Sequence, residues 1–139
     1  MKKITSLIII SVGLIGIAAL SCKKSPSTPT VPQEVPIAFT LSPYTANTSN
    51  QIAGTSAQET VTLTSTMPSK GISIAATVTD QTNNASIQQN AAVTSTNSTN
   101  TVTIISLPSQ HLCTVTITVT SVATASNTAS QSFTLANKQ

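Results

Sequence analysis

From Ile37 onward the chain alternates apolar and polar residues with a period of two. Ile37, Phe39 and Leu41 alternate with Ala38 and Thr40, and Val61 and Leu63 with Thr60, Thr62 and Thr64. Ile72, Ile74, Ala76 and Val78 form a third run. Val102 and Ile104 form another, and Cys113, Val115, Ile117 and Val119 the longest, interleaved with Thr114, Thr116, Thr118 and Thr120. Phe133 and Leu135 close the series. Successive strand side chains point to opposite faces, so this alternation predicts strands with one buried face. Thr and Val favour the same conformation. A weaker run from Ile87 to Thr94 is expected to be an edge strand. Turn signals separate the runs: Ser42-Pro43, Gly54, Met67 to Gly71, Asp80 to Asn84, Asn97 to Asn100, Leu107-Pro108-Ser109 and Ser126-Asn127. No segment after residue 22 carries a helical period.

Seven short, evenly spaced strands in about 100 residues predict an all-β fold. The expected architecture is a single immunoglobulin-like antiparallel β-sandwich over residues 37–136. Ahead of it lie two segments of different character. Met1-Lys2-Lys3 is a positive start, and Ile4 to Leu20 is an apolar run ending at Ser21-Cys22, the layout of a secretory signal peptide over residues 1–21. Lys23 to Pro36 contains four of the seven prolines. Proline at this spacing blocks helix and sheet and favours extended polyproline II, which at about 3.1 Å per residue reaches ~40 Å. Residues 22–36 therefore read as a tether.

Ala19-Leu20-Ser21-Cys22 resembles the bacterial lipobox, in which the Cys becomes the first mature residue and its thiol takes a diacylglycerol. Leu20-Ser21-Cys22-Lys23-Lys24 is similar to the looser form found in Bacteroidota lipoproteins. The resemblance makes Cys22 the lipidation site. Two or more acyl chains, at about 0.8 kcal/mol per buried methylene, hold a protein stably on a membrane. Lys23 is not an inner-membrane retention Asp, so the implied location is the outer membrane of the cell envelope. Leu107-Pro108-Ser109-Gln110-His111-Leu112-Cys113 resembles the approach to the sixth strand of fibronectin type III domains, where a Leu precedes by six residues a Tyr that starts the strand. Here Cys113 holds the Tyr place, and Ser65 or Met67 lies nearest the usual second-strand Trp. The chain as a whole resembles small lipid-anchored, immunoglobulin-like lipoproteins of Bacteroidota, which have no assigned activity.

Composition narrows the chemistry. Charged residues are 6 % and aromatics 2 % of 139 residues, with no Arg and one His, while Ser and Thr make up about a third. Hydrolases and metalloenzymes need several ionisable groups in one site, and no catalytic, metal-binding or cofactor-binding residue set is expected here. The formal charge is +3, but four of six Lys precede residue 25. No clustered basic footprint is left for nucleic acid. Cys113, with Cys22 lipidated, has no disulfide partner, and its place on an apolar strand face predicts a buried thiol. His111 shares that face by parity and could pair with it, as a nucleophile would require. Asp80, Glu59 and Glu34 are far apart in sequence, and Asp80 is expected in a solvated turn. Tyr44, beside Pro43, is expected to cap the core. These readings predict an envelope lipoprotein with one structural or binding module and an unspecified ligand. The membrane is its partner through the lipid, and an envelope protein is a possible second. The other reading is a small accessory subunit of an uptake or adhesion complex.

Overall fold

A computed structural model describes residues Gln33–Gln139. The apolar leader, Cys22 and the tether as far as Pro32 lie outside the described residues. The described chain forms nine strands: β1 (Phe39–Ser42), β2 (Ser49–Ile52), β3 (Ala57–Leu63), β4 (Ile72–Asp80), β5 (Ser86–Ile87), β6 (Val93–Ser95), β7 (Thr99–Ile104), β8 (Leu112–Ser121) and β9 (Thr128–Asn137). No helix occurs among the described residues. One sheet has the order β1-β3-β7, the other β2-β9-β8-β4-β5, with β6 also paired to β4. With β1, β3, β4, β7, β8 and β9 as strands A, B, C, E, F and G, the A-B-E against C-F-G division is that of an immunoglobulin-like sandwich.

Two details correct the expectation of about seven antiparallel strands. The weak run after Ile87 divides into β5 and β6, both antiparallel to β4. Between them Gln89 turns inward and is buried. Its Nε2 donates to the Ile105 carbonyl at 2.9 Å and its Oε1 accepts the Ile105 N–H at 2.9 Å. The side-chain amide thus supplies one rung beside β7, and the backbone around it leaves the ladder. The second correction is β2, which no alternation marked and which pairs with β9 in parallel. The chain leaves the small sheet after β1 and joins the edge of the large one running in the direction of β9. Ser49-Asn50-Gln51 buries no apolar face. Backbone pairing places this strand, and a hydropathy pattern cannot show that.

Most of the core is the set that alternation selected, with Ala57 and Leu107 added and Ala76 and Val102 only half-buried. Phe39, Leu41, Val61, Leu63, Ile72, Ile74, Val78, Cys113, Val115, Ile117, Val119, Phe133 and Leu135 are all buried. Strand β8 lies between β4 and β9 from Cys113 to Thr120. Its uncharged, β-branched sequence is therefore paired on both sides, which keeps an aggregation-prone segment away from an open edge. The polar face of β8 stays ordered without charge through hydroxyl rungs: Thr116 to Ser132 at 2.8 Å, Thr118 to Ser130 at 2.9 Å and Thr120 to Thr128 at 2.9 Å. Such cross-strand pairs contribute roughly 0.2–1 kcal/mol each.

Carboxamides also stitch the sheets together. Asn127 Oδ1 accepts the Ile37 N–H at 3.0 Å, and its Nδ2 donates to the Val35 carbonyl at 3.0 Å and to Glu34 Oε2 at 3.1 Å. The Gln131 side chain donates to the Phe39 carbonyl. The Ile37 N–H and the Phe39 carbonyl, on the side of the chain that faces away from β3, are thereby satisfied by side chains from the opposite sheet and its preceding turn.

Candidate functional site

Cys22, the one site residue that the sequence assigned, lies outside the described residues. Inside the sandwich, two places gather titratable side chains. The first is where β4 ends and β8 begins. Asp80 is the last residue of β4 and stands opposite Cys113 in register. Even-numbered β4 positions face the core at this end, so Asp80 is 3 % exposed rather than sitting in a solvated turn. Its Oδ1 accepts the Thr82 N–H at 2.8 Å, closing the turn, and its Oδ2 lies 2.6 Å from His111 Nδ1. The Thr82 amide, opposing the effect of burial, and then His111 hold its carboxyl below the usual range.

The imidazole of His111 is thus engaged by Asp80. Burial, and second the negative charge of Asp80, push the Cys113 thiol upward in pKa. A nucleophilic cysteine needs the opposite, a positive neighbourhood that favours thiolate. The Asp80–His111 pair ties the β4–β5 turn to the corner before β8, while Cys113, 1 % exposed, fills the core beneath it. In a Cys22→Ala background, where Cys113 is the one remaining thiol, it should resist a thiol reagent in the native state and react on denaturation. Cys113→Ser should cost about 1–3 kcal/mol, because a hydroxyl replaces an apolar-packed sulfur. Fast native labelling, or a serine variant with unchanged urea midpoint, would overturn this assignment.

The corner that follows the Leu107 motif is held without the tyrosine of fibronectin type III domains. Leu107 is buried, and its N–H donates to the Thr55 carbonyl at 2.9 Å. Its carbonyl accepts from Asn137 Nδ2 at 3.1 Å, and the Gln110 N–H donates to the Asn137 carbonyl at 2.8 Å. Asn137 is itself 3 % exposed. The sequence reading missed this residue. Its signal was available: Phe133, Leu135 and Asn137 share one parity, so a carboxamide stands where the pattern calls for an apolar side chain.

The second place is Glu59, and the same parity governs it. Ala57, Glu59, Val61 and Leu63 all face inward from β3, and Glu59 is fully buried. Its Oε2 accepts the Tyr44 N–H at 3.2 Å, whereas its Oε1 is buried without a partner. Burial pushes its pKa up to about 6, against the opposing effect of the Tyr44 and Ser42 amides. A raised carboxyl pKa in the fold means that the native state binds the proton more tightly than the unfolded chain. This group's contribution is therefore most favourable below the ordinary 4.5 and declines as pH rises through about 6. The Tyr44 ring stacks on Phe133 with centroids 5.5 Å apart, capping the core as expected.

Among the described residues no three His, Cys, Asp or Glu side chains converge as metal ligands. An open groove of about 300 Å³ is lined by Asn47–Ser49, Thr114 and Ser132–Thr134. No protein-family model matches the chain. No curated protein matches it either. Among solved structures it is similar to a three-immunoglobulin-domain segment of titin, a glutamate-to-alanine variant, at 20 % identity and a TM-score of 0.42. That alignment covers 76 % of this chain and 33 % of the other, so the chain spans about a third of that structure's length.

Proposed function

We propose that this protein is a lipid-anchored component of a bacterial cell envelope that presents one immunoglobulin-like module on a proline-rich tether. The observation that carries the reading is the register of Lys2-Lys3, the apolar run to Leu20, and Ser21-Cys22, which together resemble a Bacteroidota lipoprotein leader. It is supported by the domain that follows, a sandwich whose outer strand faces carry hydroxyls rather than charges and whose ionisable side chains tie segments of the fold together. The module's role is structural or binding, and the membrane is its partner through acyl chains on Cys22. Lys23 favours delivery to the outer membrane.

Cells fed an alkyne-tagged fatty acid should yield labelled wild-type protein in the membrane fraction. Cys22→Ala should lose essentially all of the label and leave the membrane pellet, since one changed atom removes the acyl acceptor. Label retained on the alanine variant would refute the anchor. Protease treatment of intact cells then reports which side of the outer membrane the sandwich faces.

A further inference from the structure

We propose that Glu59 is a proton-operated latch on the crossover between the two sheets: its carboxylate grips the Tyr44 amide at the start of the Pro43–Thr48 segment, and protonation loosens it. Strand β1 pairs with β3 from Phe39↔Leu63 to Ser42↔Thr60. The next antiparallel rung would set residue 43 opposite Glu59. That rung makes no hydrogen bond, because the Thr64 N–H to Ala38 carbonyl bond sets the β1–β3 bonds at even positions, and pairing ends before the Tyr44 rung that would follow. The Glu59 side chain takes over, accepting the Tyr44 N–H with Oε2 at 3.2 Å. The crossover is fastened separately at its far end, where the Asn47 N–H donates to the Ser132 carbonyl at 2.8 Å and the Thr134 N–H to the Thr48 carbonyl at 2.9 Å.

Glu59 is thus the fastening of the near end, and it is an uneasy one. Its second oxygen, Oε1, is buried with no hydrogen bond. An ionised carboxylate in that position is poorly compensated, so neutralising it is favourable for the core. While it stays buried, the neutral carboxyl is also a weaker acceptor for the Tyr44 N–H that it holds. Val102 stands opposite Glu59 on β7, and the perturbation of its carboxyl comes from burial first and, against it, the Tyr44 and Ser42 amides. Among the described residues no charged side chain is a cause of this shift. The segment it releases leads into β2, an edge strand of the large sheet. Proton uptake at one core carboxyl therefore sets how firmly that edge is held while the rest of the sandwich stays closed.

Tyr44 is the one Tyr of the chain and there is no Trp, so tyrosine emission of the full-length protein reports this place alone. Loosening the Tyr44 amide changes how its ring sits against Phe133, so emission should change in one step on acidification, with a midpoint near 6. The protection factor of the Tyr44 amide in hydrogen exchange should fall several-fold between about pH 7.5 and about pH 5, while β8 amides stay fully protected. Glu59→Gln should abolish the emission step and leave Tyr44 weakly protected at both values. His111→Gln should keep the step, separating it from the Asp80 pair. A step that survives in Glu59→Gln, or Tyr44 protection that does not change with pH in the wild type, overturns the latch. Should Glu59→Gln fail to fold, the wild-type exchange measurement decides.

Discussion

Phe133→Ala is expected to destabilise the sandwich by about 3–5 kcal/mol, the usual cost of deleting a fully buried aromatic side chain. Phe133 is 2 % exposed and the largest fully buried side chain of the core. It stands on β9 opposite Val115 of β8, and the Tyr44 ring stacks on it. Removing it leaves a cavity between the sheets and takes away the surface on which the β1–β2 crossover rests. Against a total stability of roughly 5–15 kcal/mol for a domain of this size, such a loss brings the variant close to unfolding at ordinary temperatures. Urea denaturation followed by circular dichroism measures it. Phe133→Leu should lose much less, because most of the apolar volume returns. An alanine variant with a wild-type midpoint would mean that Phe133 is not the centre of this core.

Gly71→Ala should be comparably damaging, by a different route. Gly71 sits at the end of the Met67 to Gly71 turn with φ +80°, a conformation that costs an L side chain roughly 1–2 kcal/mol. A Cβ there would lie 2.4 Å from the Ser95 carbonyl oxygen and 3.1 Å from Thr96 Cγ2. The nearer obstacle is backbone, so no side-chain rotation relieves it. Either β6 moves off β4, breaking the Ile72↔Ser95 to Ile74↔Val93 pairing, or the turn itself shifts. The turn cannot shift freely, because the Gly71 N–H donates to the Pro68 carbonyl at 2.9 Å and its own carbonyl accepts the Val122 N–H at 3.1 Å. Strain and lost pairing together predict about 3 kcal/mol or more. Gly54→Ala is the informative comparison. It also has positive φ, at +122°, but nothing within 4 Å of the added carbon, so it should show the backbone strain without the collision. Equal effects of the two substitutions in thermal denaturation would refute the collision with β6.

The alternation of Val, Ile and Leu with Thr settled by itself that this chain is an all-β sandwich and which residues fill most of it. Each strand has only two faces, so a strict period of two assigns every side chain to core or solvent once burial begins. It placed Cys113, Val115, Ile117 and Val119 in the interior, and β8 is indeed paired on both sides from Cys113 to Thr120. The same parity marked Glu59 and Asn137 as inward-facing, and the polarity of those residue types hid their importance. A buried carboxylate or carboxamide is stable only if backbone groups from distant segments arrive to meet it. Residues 44 and 107 come to Glu59 and Asn137 through the folding of the whole sandwich, which no local window of sequence contains. Strand β2 was invisible for a related reason. It is held by backbone hydrogen bonds to β9, which any sequence without proline can offer, and Ser49-Asn50-Gln51 carries no apolar face to announce it. The pairing of His111 with Asp80 instead of Cys113 was likewise decided in three dimensions. Parity put His111 and Cys113 on one face, but the antiparallel register of β4 against β8 brought a carboxylate to that corner, and the imidazole took the stronger, charge-assisted partner.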